Sequence, residues 1–147
     1  MSRKLDAQDL QQMALFEKLT HARVKDCFED NFGNMVFVVQ EGQIRKALGK
    51  NVENIEKLKR VFQKKVRIIE YNSDIRTFIQ NAARPVKLAD VVGVENTYTM
   101  IAPTLKDRGV LIGRSATTLR NTESIIKKYF QIEELKVEVG NENGKEN

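Results

Sequence analysis

A chain of 147 residues, 41% hydrophobic and 31% charged, can bury one core or two small ones, a composition that excludes a disordered polypeptide. No run approaches the ~20 apolar residues of a membrane span, and the opening MSRKLDAQDL lacks the apolar stretch of a signal peptide, so a cytoplasmic protein with no membrane partner is expected. One cysteine, Cys27, and one histidine, His21, exclude an internal disulfide and a cysteine/histidine metal cluster, while a net charge of +5 points to polyanions as partners.

Residues 6–19, DAQDLQQMALFEKL, place Leu10, Met13, Ala14, Phe16 and Leu19 on one face of an amphipathic helix. RVKDCFED, the turn signal NFGN and the apolar run MVFVVQ then read as a β-hairpin, with Cys27 a small buried strand residue. A short helix, GQIRKAL, leads to a glycine turn at Gly49. Beyond it Val52, Ile55, Leu58, Val61 and Phe62 fall at helical spacing, and KVRIIEY closes the unit as a strand.

The same order returns. SDIRTFIQNAA starts a helix with Ser73 or Asp74 as N-cap and ends before Arg84-Pro85, because proline disfavours helix in the residue before it. VKLADVVGV and YTMIA are strands, Pro103 stands at the entry of a short helix over 104–112, and a second glycine turn falls at Gly113. Ala116, Leu119, Thr122, Ile125 and Ile126 repeat the earlier helical spacing, each displaced by the 64 residues that separate the two glycines. LKVEV closes the second unit, and the polar GNENGKEN is expected to be a disordered tail.

Charge follows the turns. Residues 41–70 hold nine lysines and arginines against four acids, residues 104–130 six against two, and the rest of the chain is net negative. A glycine turn that opens a helix offers free amides and the positive end of the helix dipole, a ready site for an anion. Lys50 and Arg114 add full charge beside it, and Asn51 and Ser115 can cap the helix or donate to the anion. LGK is not the end of a Walker A loop, since Ile44 stands where that motif needs glycine and Asn51 where it needs Ser or Thr. No acid/base constellation stands out, so no enzyme, cofactor or small-molecule substrate is expected.

Two α-β-β-α-α-β units with a glycine turn between their central helices resemble type II KH domains. ALGKNVENIEKL and LIGRSATTLRN stand where that family carries I-G-x-x-G-x-x-[IL]. The tandem arrangement, with VKDCFED and MVFVVQEG before the first turn and KVRIIEY after it, is similar to archaeal NusA-type transcription factors over about residues 5–139. The resemblance implies an α+β fold of two tandem type II KH domains, 5–72 and 73–139, with 140–147 as the tail. It implies single-stranded RNA as partner, four nucleotides held against an apolar groove while the glycine loop clamps the backbone, and the RNA polymerase elongation complex as a further partner. Bacterial relatives carry a polymerase-binding domain and an oligonucleotide-binding barrel ahead of the KH pair, neither of which fits in this chain.

Carried onto this sequence, the loops are Gly49, Lys50, Asn51, Val52 and Gly113, Arg114, Ser115, Ala116. Leu48, Ile55, Ile112 and Leu119 are candidates for the groove floor or for ordinary core, and Lys46, Lys57, Lys106, Arg108 and Arg120 for phosphate contacts or plain surface charge. Both loops end without the family's second glycine. Alanine at 116 is expected to suit the start of a helix, and the branched Val52 to narrow the approach to phosphate, which makes the second loop the stronger candidate. Aromatics at 7% and no tryptophan supply no stacking platform of the RRM or barrel kind. A ribosome-assembly or translation factor, and a degenerate KH pair acting as a protein-interaction module, remain as alternatives.

Overall fold

The computed structural model describes residues 4–140, so most of the expected polar tail lies outside the described residues. The described chain forms two compact units, Lys4–Ser73 and a second that starts at Asp74. In the first, helix α1 (Ala7–Thr20) precedes strands β1 (Val24–Glu29) and β2 (Met35–Val39), helices α2 (Ile44–Leu48) and α3 (Glu53–Phe62), and strand β3 (Val66–Glu70). In the second, α4 (Ile75–Ala83) precedes β4 (Asp90–Val94), β5 (Thr97–Ala102), α5 (Leu105–Ile112), α6 (Thr117–Lys127) and β6 (Glu134–Val139). The fold is α+β, and each unit has the α-β-β-α-α-β order that the resemblance to type II KH domains implies.

Each sheet has three strands in chain order, an antiparallel hairpin followed by a parallel pair: Phe37 opposite Cys27 and Ile68 in one, Met100 opposite Val91 and Val137 in the other. Parallel neighbours need a long crossover. Here the crossover is two helices with a glycine turn at their corner, so the topology itself puts that turn at an outside bend.

α1 begins at a capping box in which the Asp6 carboxylate accepts from the Asp9 amide at 2.8 Å and the Asp9 carboxylate from the Asp6 amide at 3.0 Å. Its buried line is narrower than the apolar pattern predicts. Phe16 and Thr20 are buried and Met13 and Leu19 partly so, but Leu10 and Ala14 are exposed. Phe16 stacks on Phe37 with centroids 4.3 Å apart, and Cys27, Val39, Ala47 and Leu58 complete that core. In the second unit Phe78 packs edge-on to Tyr129 at 5.5 Å and against Phe130 at 5.6 Å, and Met100, Leu119 and Leu135 are also buried.

One further expectation is corrected, and of the two N-cap candidates for α4 one is selected. β4 starts at Asp90 rather than at Val86, because the Gln80 side chain donates to the Val86 carbonyl (3.0 Å) and accepts from the Leu88 amide (2.8 Å), tying that stretch to α4. The N-cap of α4 is Asp74, whose carboxylate accepts from the Thr77 amide at 3.1 Å. Among the described residues no helix is long and apolar enough to cross a membrane.

Candidate nucleic-acid interface

The two glycine turns have one backbone. Gly49 has φ 76 and ψ 176 and Gly113 φ 74 and ψ −178, a region that side chains avoid. A short 3-10 turn follows each glycine, with Asn51 (57, 27) and Val52 (58, 28) in the left-handed region in one, and Ser115 (54, 34) and Ala116 (63, 19) in the other. The missing second glycine therefore has a physical cost in both loops. Ala116 does not start the helix, as its propensity suggests; it precedes it, and α6 begins at Thr117. Val52 is the greater departure, since a β-branched residue at positive φ is an outlier, and its side chain is 52% exposed.

The amides of Val52 and Ala116 donate back to the carbonyls of Gly49 (3.1 Å) and Gly113 (3.4 Å). Among the described residues no backbone carbonyl takes up the amides of Lys50, Asn51, Arg114 or Ser115. These four residues are exposed at the N-terminal ends of α3 and α6, where the helix dipoles add positive potential to the Lys50 and Arg114 charges. Asn51 and Ser115 make no side-chain cap to the following helix.

The remaining sequence candidates divide by surroundings. Lys46 on α2, Lys57 on α3, and Lys106 and Arg108 on α5 are exposed. Arg120 on α6 is not a free cation: its guanidinium donates to Glu123 at 2.9 Å, and the same carboxylate oxygen accepts from the Leu135 amide at 2.8 Å, tying α6 to β6. Leu48, Ile55 and Ile112 are half-buried, whereas Leu119 is buried in the core. Of the aromatic side chains only Phe32, at the β1–β2 turn, is exposed among the described residues. Among the described residues no group of three or more His, Cys, Asp or Glu could hold a metal ion.

No protein-family model matches the chain. A "Probable transcription termination protein NusA" of Methanocaldococcus jannaschii is 33% identical over 143 residues, covering 95% of this chain and 77% of its own length. The protein of the same name in Methanococcus vannielii is 34% identical over 142 residues, with 93% and 80% covered. This chain belongs to the archaeal NusA family. A more distant NusA, from Thermoplasma acidophilum, is 25% identical over 136 residues and matches 90% of this chain and 94% of its own. The crystal structure of APE1850 shares the fold, with a TM-score of 0.74 at 21% identity over 91% of this chain and all of that one.

Sequence reasoning missed the residues that pack beneath the two glycine turns. Asn54 and Thr118, each five places after a loop glycine, sit against Gly49 and Gly113. Asn54 is buried on α3 with Leu58, while Val52 and Val61, expected on that buried face, are 52% and 44% exposed. An amide four places before a buried leucine was the available signal, and apolar periodicity passes over it.

Proposed function

We propose that this member of the NusA family is a non-catalytic RNA-binding factor that acts on transcription elongation or termination, gripping single-stranded nascent RNA through two tandem KH domains, 5–72 and 73–139. The observation that carries the reading is the paired glycine loops. Each presents two amides without backbone acceptors at a helix N-terminus beside a basic side chain, the chemistry that a phosphodiester backbone requires. The names of the curated relatives support the assignment to transcription.

In this reading Arg114 and Lys50 neutralise phosphate, the loop amides donate to it, and Leu48, Ile55 and Ile112 form the apolar border against which bases lie. Lys46, Lys57, Lys106 and Arg108 extend the electrostatic footprint, and Arg120 serves mainly to hold Glu123. Gly113 to Ala116 form the principal clamp, because Ala116 presents a methyl group where Val52 presents an exposed branched side chain. RNA polymerase in its elongation complex is the assembly on which the factor acts.

A reconstituted transcription reaction with the source organism's polymerase tests the proposal. Added protein shifts the positions or amounts of paused and terminated transcripts, and Arg114→Asp/Ser115→Asp abolishes the shift. Association with pre-ribosomal particles and no effect on transcripts would support the translation alternative instead. Full effect from the loop variant would favour a protein-interaction module.

A further inference from the structure

We propose that Asn54 is the positioning residue of the first loop, its buried side-chain amide tying α2 across the turn and so holding Asn51 and Val52 in their left-handed conformation. This rests on the reading of the loop as an RNA clamp and goes beyond it, because Asn54 lies under the loop and belongs to none of its four positions.

Asn54 is 7% exposed, and its Nδ2 donates to the Ala47 carbonyl at 3.0 Å and to the Lys46 carbonyl at 3.4 Å. These are among the last carbonyls of α2, a five-residue helix too short to hold itself together and left with orphan acceptors at its end. The fit is reciprocal. A Cβ on Gly49 would stand 2.7 Å from that same Nδ2, so the glycine leaves the space that the amide fills.

Between the tied carbonyls and Asn54 the chain passes through two consecutive left-handed residues, the second of them Val52. Strained backbone of this kind persists only where the surroundings over-determine it. The loop's own backbone supplies two short-range ties, the Val52 amide to the Gly49 carbonyl at 3.1 Å and the Glu53 amide to the Lys50 carbonyl, and the side-chain amide adds the constraint that reaches across to α2. The second loop reaches the same dihedrals by another route: Thr117 donates to the Arg114 carbonyl at 2.7 Å, and Thr118 occupies the Asn54 position. The loop with the more strained residue is the one held by a buried amide.

The test is ¹⁵N relaxation and RNA binding on the full chain, comparing the unaltered protein, Asn54→Ala, Val52→Gly and the double variant. The expected order parameters at Lys50–Val52 are about 0.85 in the unaltered protein and below about 0.6 in Asn54→Ala. Arg114–Ala116, in the same molecule, stay unchanged as the internal control. Affinity for fluorescein-labelled single-stranded RNA of randomised sequence, measured with the second loop disabled by Arg114→Asp/Ser115→Asp, falls about five- to tenfold with the competent population of the first loop. Val52→Gly shrinks both effects, since a glycine loop needs less holding.

Unchanged order at residues 50–52 in Asn54→Ala overturns the proposal, as does lost order with unchanged RNA affinity, or an equal loss in the Val52→Gly background. Where Asn54→Ala fails to fold, Asn54→Thr, which installs the residue type used at position 118, carries the same comparisons. If the second-loop-disabled protein binds no RNA, the clamp reading of the first loop is what fails, and the order parameters decide the role of Asn54 by themselves.

Discussion

Gly109→Ala and Gly113→Ala, four residues apart on one segment, are opposite perturbations. Gly113 has φ 74 and ψ −178, where a residue with a Cβ pays ~1–3 kcal/mol of backbone strain. Its Cβ would stand 2.7 Å from Thr118 Cβ and 2.9 Å from the Thr118 amide nitrogen, which forces a shift worth a further ~1–3 kcal/mol. Reduced unfolded-chain entropy returns only ~0.4–1 kcal/mol, leaving a net loss of about 2–5 kcal/mol. Gly109 lies within α5 with open space around its Cα, so alanine there gains ~0.8–1 kcal/mol of helix propensity. For a unit of this size each kcal/mol moves the thermal midpoint by ~4–8 °C. Thermal unfolding followed by far-UV circular dichroism should therefore show a rise of several degrees for Gly109→Ala and a fall of about ten degrees or more for Gly113→Ala. A Gly113→Ala midpoint equal to that of the unaltered protein would refute the loop geometry.

Ala116→Gly should raise stability by about 0.5–1 kcal/mol in urea denaturation, relief of left-handed strain at ~1–2 kcal/mol less the entropy of a freer unfolded chain; a loss would contradict the dihedral assigned to residue 116. Arg114→Ala should flatten the salt dependence of RNA affinity by about 0.7 in the logarithmic slope, and Arg120→Ala by much less because its guanidinium already serves Glu123; equal slopes from the two variants count against the assignment. The Thr77 hydroxyl and then its amide, donating to Asp74, hold that carboxyl below the ordinary carboxylate value. A lowered folded-state value means that the contribution is present above the ordinary range, ~3.9, and is lost as pH falls through the lowered one. The midpoint of the second unit should therefore drop on acidification, and Asp74→Asn should remove that part of the slope; an unchanged slope contradicts it.

The order of elements was legible because each leaves a periodic signal over several residues: MVFVV is a strand buried at every position, and Leu119, Ile125 and Ile126 are core at helical spacing. The glycine turns were legible because glycine at both corners repeats 64 residues apart with its helix behind it. What periodicity does not encode lay elsewhere. Asn54 and Asn121 are buried polar residues, and the hydrogen bonds that satisfy Asn54 come from a neighbouring helix rather than from a pattern. Val52 and Ala116 read as the first helical residues, because their left-handed conformation is imposed by the glycine before them and the helix after them against their own preference. Arg120 read as a free cation because its partner Glu123 is recruited by the Leu135 amide, a contact twelve residues away along the chain.

The central claim is that the two glycine loops grip the backbone of single-stranded RNA, and fluorescence anisotropy across a salt series tests it most directly. The unaltered protein is compared with Lys50→Asp/Asn51→Asp and Arg114→Asp/Ser115→Asp, after circular dichroism establishes that each is folded. Affinity should fall with salt at about −0.7 in logarithmic slope per phosphate neutralised. It should be reduced by the first pair of substitutions and reduced more strongly by the second, with measurable binding left in each. Equal affinity in all three proteins, or none in the unaltered one, would contradict the claim.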